Sequence, residues 1–502
     1  MKPRVQHWRL DDVYRERILQ VSYLLCTLHW FRTAIIEGKM RPGQRVPSTR
    51  SMAAELQISR ISVSNAYEQL QSEGYLETLR GSGTCVARAI PDETFAPIPG
   101  DKRVFPRVLA KSKSHRRGAS TRAIALLPRV PEPWWQLRGA FRINTPAFDE
   151  FPVNVWSKLI AGRTRTLSRG LMEYGDLMGY MPLRSAIAQY LATFRGVQCE
   201  TSQVLVTTGS QQALQISAQV LMDAGDQIMM EEPGYPGARV AFMSSGAELV
   251  PVPVDEEGLI VSKMADPHRR ANVVYVTPSH QYPLGMTMSA ARRMALLKWA
   301  RSTDSWIIED DYDSEYRFDG RPIASLQGLD THGRVIYIGT FSKVLFPALR
   351  LGYVVVPKDL IPIFVAVRDA VDIFTSTLYQ AVLVDFIREG HFARHIRRMR
   401  MLYMDRRKAL VKAMSREMGN IVEIIGAEAG MHLVALLPRG IKDKSVSDEA
   451  AQNGVSIMPL STCCLRPPSR GGLILGYGGV NQRQINDGMR KLRACLNQCG
   501  LQ

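Results

Sequence analysis

The chain has 502 residues, is 45% hydrophobic and 22% charged, and carries a formal net charge of +17 with a pI near 9.7. Such a length predicts two to four domains, and the composition excludes a disordered chain. The apolar runs fall short of the roughly twenty residues that cross a bilayer, no signal peptide is visible, and seven scattered cysteines exclude a disulfide framework; the expectation is a cytoplasmic protein with a polyanionic partner.

In chain order, residues 20–88 read as a compact helical unit that ends in a hairpin. Leu28, Phe31, Ile35 and Ile36 fall at helical spacing, and Met40-Arg41-Pro42-Gly43 forms a turn. Ser48 is placed to cap a short helix over Thr49–Leu56. Ser59 opens a longer helix in which Val63, Ala66, Tyr67 and Leu70 recur as a core-facing stripe. Its other face carries Ile61, Ser62, Ser64, Asn65 and Gln69, small and polar enough for a major groove. Two short strands around Gly81-Ser82-Gly83 complete a winged helix-turn-helix pattern.

Residues 89–138 lose this periodicity, are studded with prolines and carry the cluster Lys111-Ser112-Lys113-Ser114-His115-Arg116-Arg117. They read as an extended linker; over 101–140 there are ten Lys or Arg against only Asp101 and Glu132, enough to add salt-sensitive affinity for a polyanion.

From Gly139 onward, buried-strand candidates alternate with amphipathic helices. The strands are Gln203–Thr207, Gln227–Glu231, Glu248–Val252, Asn272–Val276, Trp306–Glu309 and Val335–Ile338; the helices are Leu183–Phe194, Gln211–Met222, Gly237–Ser244 and Ala290–Ala300. The alternation predicts an α/β body with a mostly parallel sheet, closed by a smaller C-terminal α/β unit from about residue 380. Cys495 and Cys499 stand four apart, which is not metal-ligand spacing, so no metal site is expected.

Several post-strand loops are rich in reactive or hydrogen-bonding groups. Thr340-Phe341-Ser342-Lys343 puts an amine among hydroxyls, Arg350 follows seven residues later, and Glu309-Asp310-Asp311-Tyr312-Asp313 supplies acids. Gly209-Ser210-Gln211 lies at a strand-to-helix turn suited to a phosphate, and Glu231-Glu232-Pro233-Gly234-Tyr235 adds an aromatic ring. An amine for a Schiff base, an acid for a ring nitrogen, and donors with positive charge for a phosphate together suit pyridoxal phosphate.

The run from Glu37 to Val86, with "PGQRVPSTRSMAAEL" and "ISRISVSNAYEQLQSEGYLETLRGSGT", resembles the DNA-binding domain of the GntR family. The resemblance implies that Arg50, Ser59, Arg60, Ser62, Arg80 and Gly81 touch double-stranded DNA, with Arg50 and Arg60 joining phosphate charge to a base edge. Residues 139–502, with "EEPGYPGAR", "TPSHQYPLG", "EDDYDSEYRF" and "GTFSKVLFPALRLGY", resemble the fold-type I pyridoxal phosphate enzymes and, more narrowly, the aminotransferase-like domain of MocR-type regulators.

That resemblance implies an internal aldimine at Lys343, Asp310 on the pyridinium nitrogen, Tyr312 on the ring oxygen and Tyr235 stacked on the ring. Gly209, Ser210, Gln211, Thr340 and Arg350 would surround the phosphate, with Ser342 as a neighbour. The implied protein is a homodimeric DNA-binding regulator that senses pyridoxal phosphate, or an amine or amino-acid effector through it. The alternative is an active aminotransferase with a fused DNA-binding head. Two departures bear on that choice. The terminal strand Gly472–Tyr477 lacks the arginine that grips a substrate carboxylate, leaving Arg466, Arg470 and Arg239 as candidates, and Tyr282 stands where an asparagine is usual.

Overall fold

A computed structural model describes residues 28, 30–79, 83–88, 120–127, 138–264, 271–318, 324–419, 421–426 and 428–500. The chain divides into two compact units, Met1–His115 and Arg116–Gln502. Among the described residues no helix is long and apolar enough to cross a membrane.

In the first unit Leu28 and residues 30–36 are helical, followed by helices Thr49–Leu56 and Arg60–Ser72. Both expected caps form. Ser48 Oγ accepts from the Ser51 amide and Ser59 Oγ from the Ser62 amide, each at 3.1 Å, meeting a donor that the first helical turn leaves unpaired. Val63, Ala66, Tyr67 and Leu70 are buried against Leu28, Phe31, Ile35 and Met52. Full burial of side chains such as Val63 and Leu70 contributes about 1.5–3 kcal/mol each. Strands β1 (Leu76–Leu79) and β2 (Gly83–Val86) pair antiparallel as the wing, Leu76 opposite Val86.

The second unit begins with an unexpected helix. Thr121–Leu126, capped by Ser120, lies inside the stretch read as linker, and Arg122 donates to the Ser245 carbonyl at 3.4 Å just past the helix Pro236–Ser244. At least this part of the proline-rich stretch packs on the body.

The body is built on an eight-stranded sheet: β3 (Val204–Thr207), β4 (Gln227–Glu232), β5 (Glu248–Asp255), β6 (Gly258–Leu259), β7 (Ala271–Val276), β8 (Trp306–Asp311), β9 (Val335–Thr340) and β10 (Gly352–Val355), in the order β3-β10-β9-β8-β7-β4-β5-β6. From β9 to β5 the neighbours are parallel. All six expected strands and all four expected helices are present. β10 is an addition: it runs antiparallel between β3 and β9, so its N-terminal end lies at the edge where the parallel strands finish.

A four-stranded antiparallel sheet forms the smaller unit, β11 (Glu423–Ile425), β12 (His432–Leu436), β13 (Met458–Pro459) and β14 (Gly472–Gly476), in the order β11-β12-β14-β13. It begins later than residue 380. Helix Thr377–Arg388 buries Val382, Leu383 and Phe386 in the large core, and helix His391–Met418 bridges the two cores: Phe392 and Ile396 belong to the large one, Met399 onward to the small one. Phe141 and Ala147, from the start of the body, also belong to the small core.

Candidate functional site

The C-terminal edge of the large sheet holds a cavity of about 190 Å³, where open α/β sheets gather their ligands. Ser210, Gln211, Tyr235, Asp310, Tyr312, Thr340, Ser342, Lys343 and Arg350 all line it, brought together from four separated loops.

Strand alternation selects the acid. On β8, Glu309 and Asp311 point away from the cavity. Glu309 accepts from the amides of Leu326 and Gln327 at 2.9 Å each, and Asp311 pairs with Arg195 at 2.7 Å. Asp310 between them faces the cavity and is 3% exposed. Its Oδ2 accepts from the Tyr275 hydroxyl at 2.8 Å, while Oδ1 is buried without a hydrogen-bond partner. Burial pushes the Asp310 carboxyl up to about 7, against the opposing pull of the Tyr275 hydrogen bond. An orphaned carboxylate oxygen in such a place calls for a cationic donor.

Lys343 follows β9, half-buried in the cavity wall. Burial lowers its amine to about 8, although Asp313 and Asp310 pull the other way. A sizeable fraction is therefore neutral near physiological pH, as a nucleophilic amine requires. Ser342 donates its amide to Thr340 Oγ1 at 3.2 Å, which tightens the turn that presents the lysine.

A second corner of the site joins two elements. Gly209, at φ +108°, caps helix Ser210–Leu221 without a side chain, leaving first-turn amides directed at the cavity edge. That φ favours glycine, and a Cβ there would sit 3.3 Å from Arg350 Nη1, so a side chain would also press the guanidinium back by a few tenths of an ångström. Arg350 reaches this corner because β10 is antiparallel: Gly352 pairs with both Thr340 and Thr207. Arg350 holds a left-handed φ of +51°, is exposed, and makes no ion pair among the described residues.

The aromatic groups are locked to one another. Tyr235 and Tyr282 meet edge to face with centroids 5.2 Å apart, and Tyr312 meets Tyr282 at 5.8 Å. The Tyr312 hydroxyl is 2.9 Å from His280 Nδ1, which is 3.0 Å from Asp313 Oδ1. His280 was inside a motif noted in the sequence but given no role; it positions the Tyr312 hydroxyl. Thr277, in the same motif and directly after β7, also lines the cavity, as do Tyr275, Arg142 and Asn144, which were missed. Tyr275 lies in a strand buried on both faces, and the other two bear on the cavity through pairings distant in sequence.

In the N-terminal unit Arg50, Ser59 and Arg60 are exposed at the starts of the two helices. Ser62 is instead buried, and its hydroxyl lies 2.8 Å from that of Ser59, so it belongs to the helix cap and not to an open surface. Arg80 and Gly81 lie outside the described residues.

Comparison with known proteins agrees with both units. Residues 30–86 match the family of bacterial regulatory proteins, gntR family, and residues 140–474 match aminotransferase class I and II. The chain is 41% identical over 465 residues to the probable rhizopine catabolism regulatory protein MocR of Rhizobium meliloti, covering 93% of this chain and 92% of that one. It is 32% identical to the HTH-type pyridoxine biosynthesis transcriptional regulator PdxR of Corynebacterium glutamicum, covering 90% and 91%. Among solved structures, LysN, the α-aminoadipate aminotransferase of Thermus thermophilus complexed with N-(5'-phosphopyridoxyl)-L-leucine, superposes with a TM-score of 0.68 at 27% identity, over 76% of this chain and 95% of that one. With a gntR-type helix-turn-helix and an aminotransferase class I and II body in one chain, this protein belongs to the MocR-type, gntR-family regulators.

Proposed function

We propose that the protein is a transcriptional regulator that binds DNA through its N-terminal unit and senses pyridoxal phosphate, or an amine through it, at Lys343. The observation that carries this reading is the orphaned Oδ1 of buried Asp310, set in one cavity with a lysine whose amine burial holds down and with Arg350, which has no ion pair among the described residues. Each group fits one part of the cofactor: Asp310 a protonated ring nitrogen, Lys343 the aldehyde, and Arg350 with Gly209, Ser210, Gln211 and Thr340 the phosphate. Bound there, pyridoxal phosphate supplies an aldehyde that condenses reversibly with primary amines.

The chain's own residues do the rest. Asp310, whose Oδ2 already accepts from Tyr275, would hold a proton at the ring nitrogen through its free Oδ1. Tyr235 would cover one side of the ring. Tyr312, steadied by His280 and Asp313, would donate to the ring oxygen. An amine that engaged that aldehyde would leave the Lys343 side chain free beside Asp310 and Asp313. Such a change in charge and packing would bias the arrangement offered to DNA.

In the head, Arg50 and Arg60 are placed to meet DNA phosphates and base edges, and Ser59 opens the reading helix. A homodimer belongs to the same reading, supported by the exposed apolar side chains of Met172, Tyr174, Met181 and Tyr379 on the body. The test is an electrophoretic retardation assay of the full chain on the DNA upstream of its own gene, with and without pyridoxal phosphate. The proposal expects retardation at physiological salt that changes with the cofactor. No retardation would remove the regulator reading, and steady multiple turnover of an amino donor with a keto acid would favour a working aminotransferase instead.

A further inference from the structure

The terminal strand lacks the arginine expected to hold an effector's carboxylate, and none of the three substitutes suggested by sequence lines the cavity. Arg239 is tied to Glu232 and to the Cys463 carbonyl. Arg470 bonds Glu423 at 2.6 Å and the Leu437 carbonyl at 2.5 Å. Arg466 stands exposed, its backbone amide on Glu232. The arginine that does line the cavity, besides Arg350 at the phosphate corner, is Arg142.

Arg142 comes from the segment that opens the body and is seated against the end of β14. The Gly476 amide donates to the Phe141 carbonyl at 2.8 Å, and the Ser456 amide to the Ala140 carbonyl at 2.8 Å. A Cβ on Gly476 would come within 2.4 Å of the Arg142 carbonyl oxygen and 2.8 Å of Ile143 Cα, so the contact requires glycine on that strand. Residues on both sides of the Arg142-Ile143 pair hold left-handed backbone, Phe141 at φ +68° and Asn144 at +60°. Phe141 is fully buried in the small core, which keeps the strained segment in place. The arginine absent from the strand is thus delivered to the strand's end by a neighbouring segment.

Among the described residues its side chain has no recorded partner. Arg142 Nε is buried without a hydrogen-bond partner, and the guanidinium makes no ion pair among the described residues. A guanidinium is a planar fork of fixed donors that matches an oxyanion through paired hydrogen bonds. Asp310, Lys343 and Arg350 already have partners in the proposed cofactor, which leaves Arg142 for a second ligand.

We infer that Arg142 recognises an anionic group on the effector, which is therefore a primary amine bearing a carboxylate or a sulfonate. The inference rests on the sensing role of Lys343 proposed above. Three probes separate the two: β-alanine, taurine and n-propylamine, each titrated into full-length protein loaded with pyridoxal phosphate and followed by the cofactor absorbance and by thermal melting.

In the wild type the two anionic amines should bind more tightly than n-propylamine. Arg142→Gln should weaken them by about ten- to a hundredfold and leave n-propylamine unchanged. Arg142→Lys, which keeps the charge and loses the fork, should fall between. The stronger of β-alanine and taurine identifies the oxyanion. Equal losses for all three probes, or no loss for any, would overturn the assignment while the role of Lys343 stands. If no amine registers in the wild type, the sensing role itself falls and this assignment with it.

Discussion

In the N-terminal unit Arg50 and Arg60 stand in solvent on short capped helices, whereas in the body Asp310, Tyr275 and Tyr312 are buried and interlocked through hydrogen bonds. A solvated arginine acts by being free to reach a polyanion. A buried carboxyl or amine is shifted by its surroundings, and the shift is the chemistry: about 7 for Asp310 and about 8 for Lys343. One region works by exposure and the other by enclosure. Substitutions should therefore separate them cleanly.

The largest separation is expected from Asp310→Asn. Removing the charged partner of a buried cation costs about 3 kcal/mol, so pyridoxal phosphate affinity should fall on the order of a hundredfold, read by absorbance titration. DNA affinity of the cofactor-free protein should stay put. A matching loss of DNA binding would mean the two regions are not separable.

Arg60→Ala reverses the pattern. Loss of a phosphate or base contact should weaken DNA binding by about 1–3 kcal/mol and flatten its salt dependence, with cofactor affinity intact. Fluorescence anisotropy across a salt series measures both quantities.

A smaller effect sharpens the body's side of the comparison. Because Lys343 is held down at about 8, its neutral fraction climbs as pH passes through that value. Cofactor uptake by stopped-flow absorbance should therefore quicken roughly fivefold between pH 7 and pH 8 and level off above pH 9. An increase that continues to pH 10 would show an ordinary solvated lysine at work.

Ser59→Ala should have the smallest effect. It removes a helix cap and costs about 1 kcal/mol of head stability in denaturant unfolding. DNA affinity per folded molecule should fall less than in Arg60→Ala; a loss as large would make Ser59 a principal DNA contact.

Much of this was legible because local chemistry and long-range packing agree. Ser48 and Ser59 signal helix starts, and the spacing of Val63, Ala66, Tyr67 and Leu70 states which face is core. The loops that gather Lys343, Asp310 and Ser210 follow apolar strands, so a parallel sheet brings them to one edge. What escaped depends on pairings far apart in sequence. β10 reads as a continuation of the Lys343 loop, and only its place between β3 and β9 brings Arg350 to the cavity. Tyr275 sits in a strand apolar on both faces, where alternation does not say which side meets a ligand. Arg142 is seated by Gly476, more than three hundred residues away. The helix Thr121–Leu126 carried a local signal, the Ser120 cap, beneath the dominant proline pattern of its surroundings.

The most direct test of the enclosed site is to mix the purified protein with pyridoxal phosphate, reduce with borohydride, digest, and locate the adduct by mass spectrometry. The mass of a reduced pyridoxyl group should appear on the peptide that contains Lys343 and vanish in Lys343→Ala. A protein that stays colourless, or an adduct scattered over surface lysines and unchanged in that variant, would contradict the account.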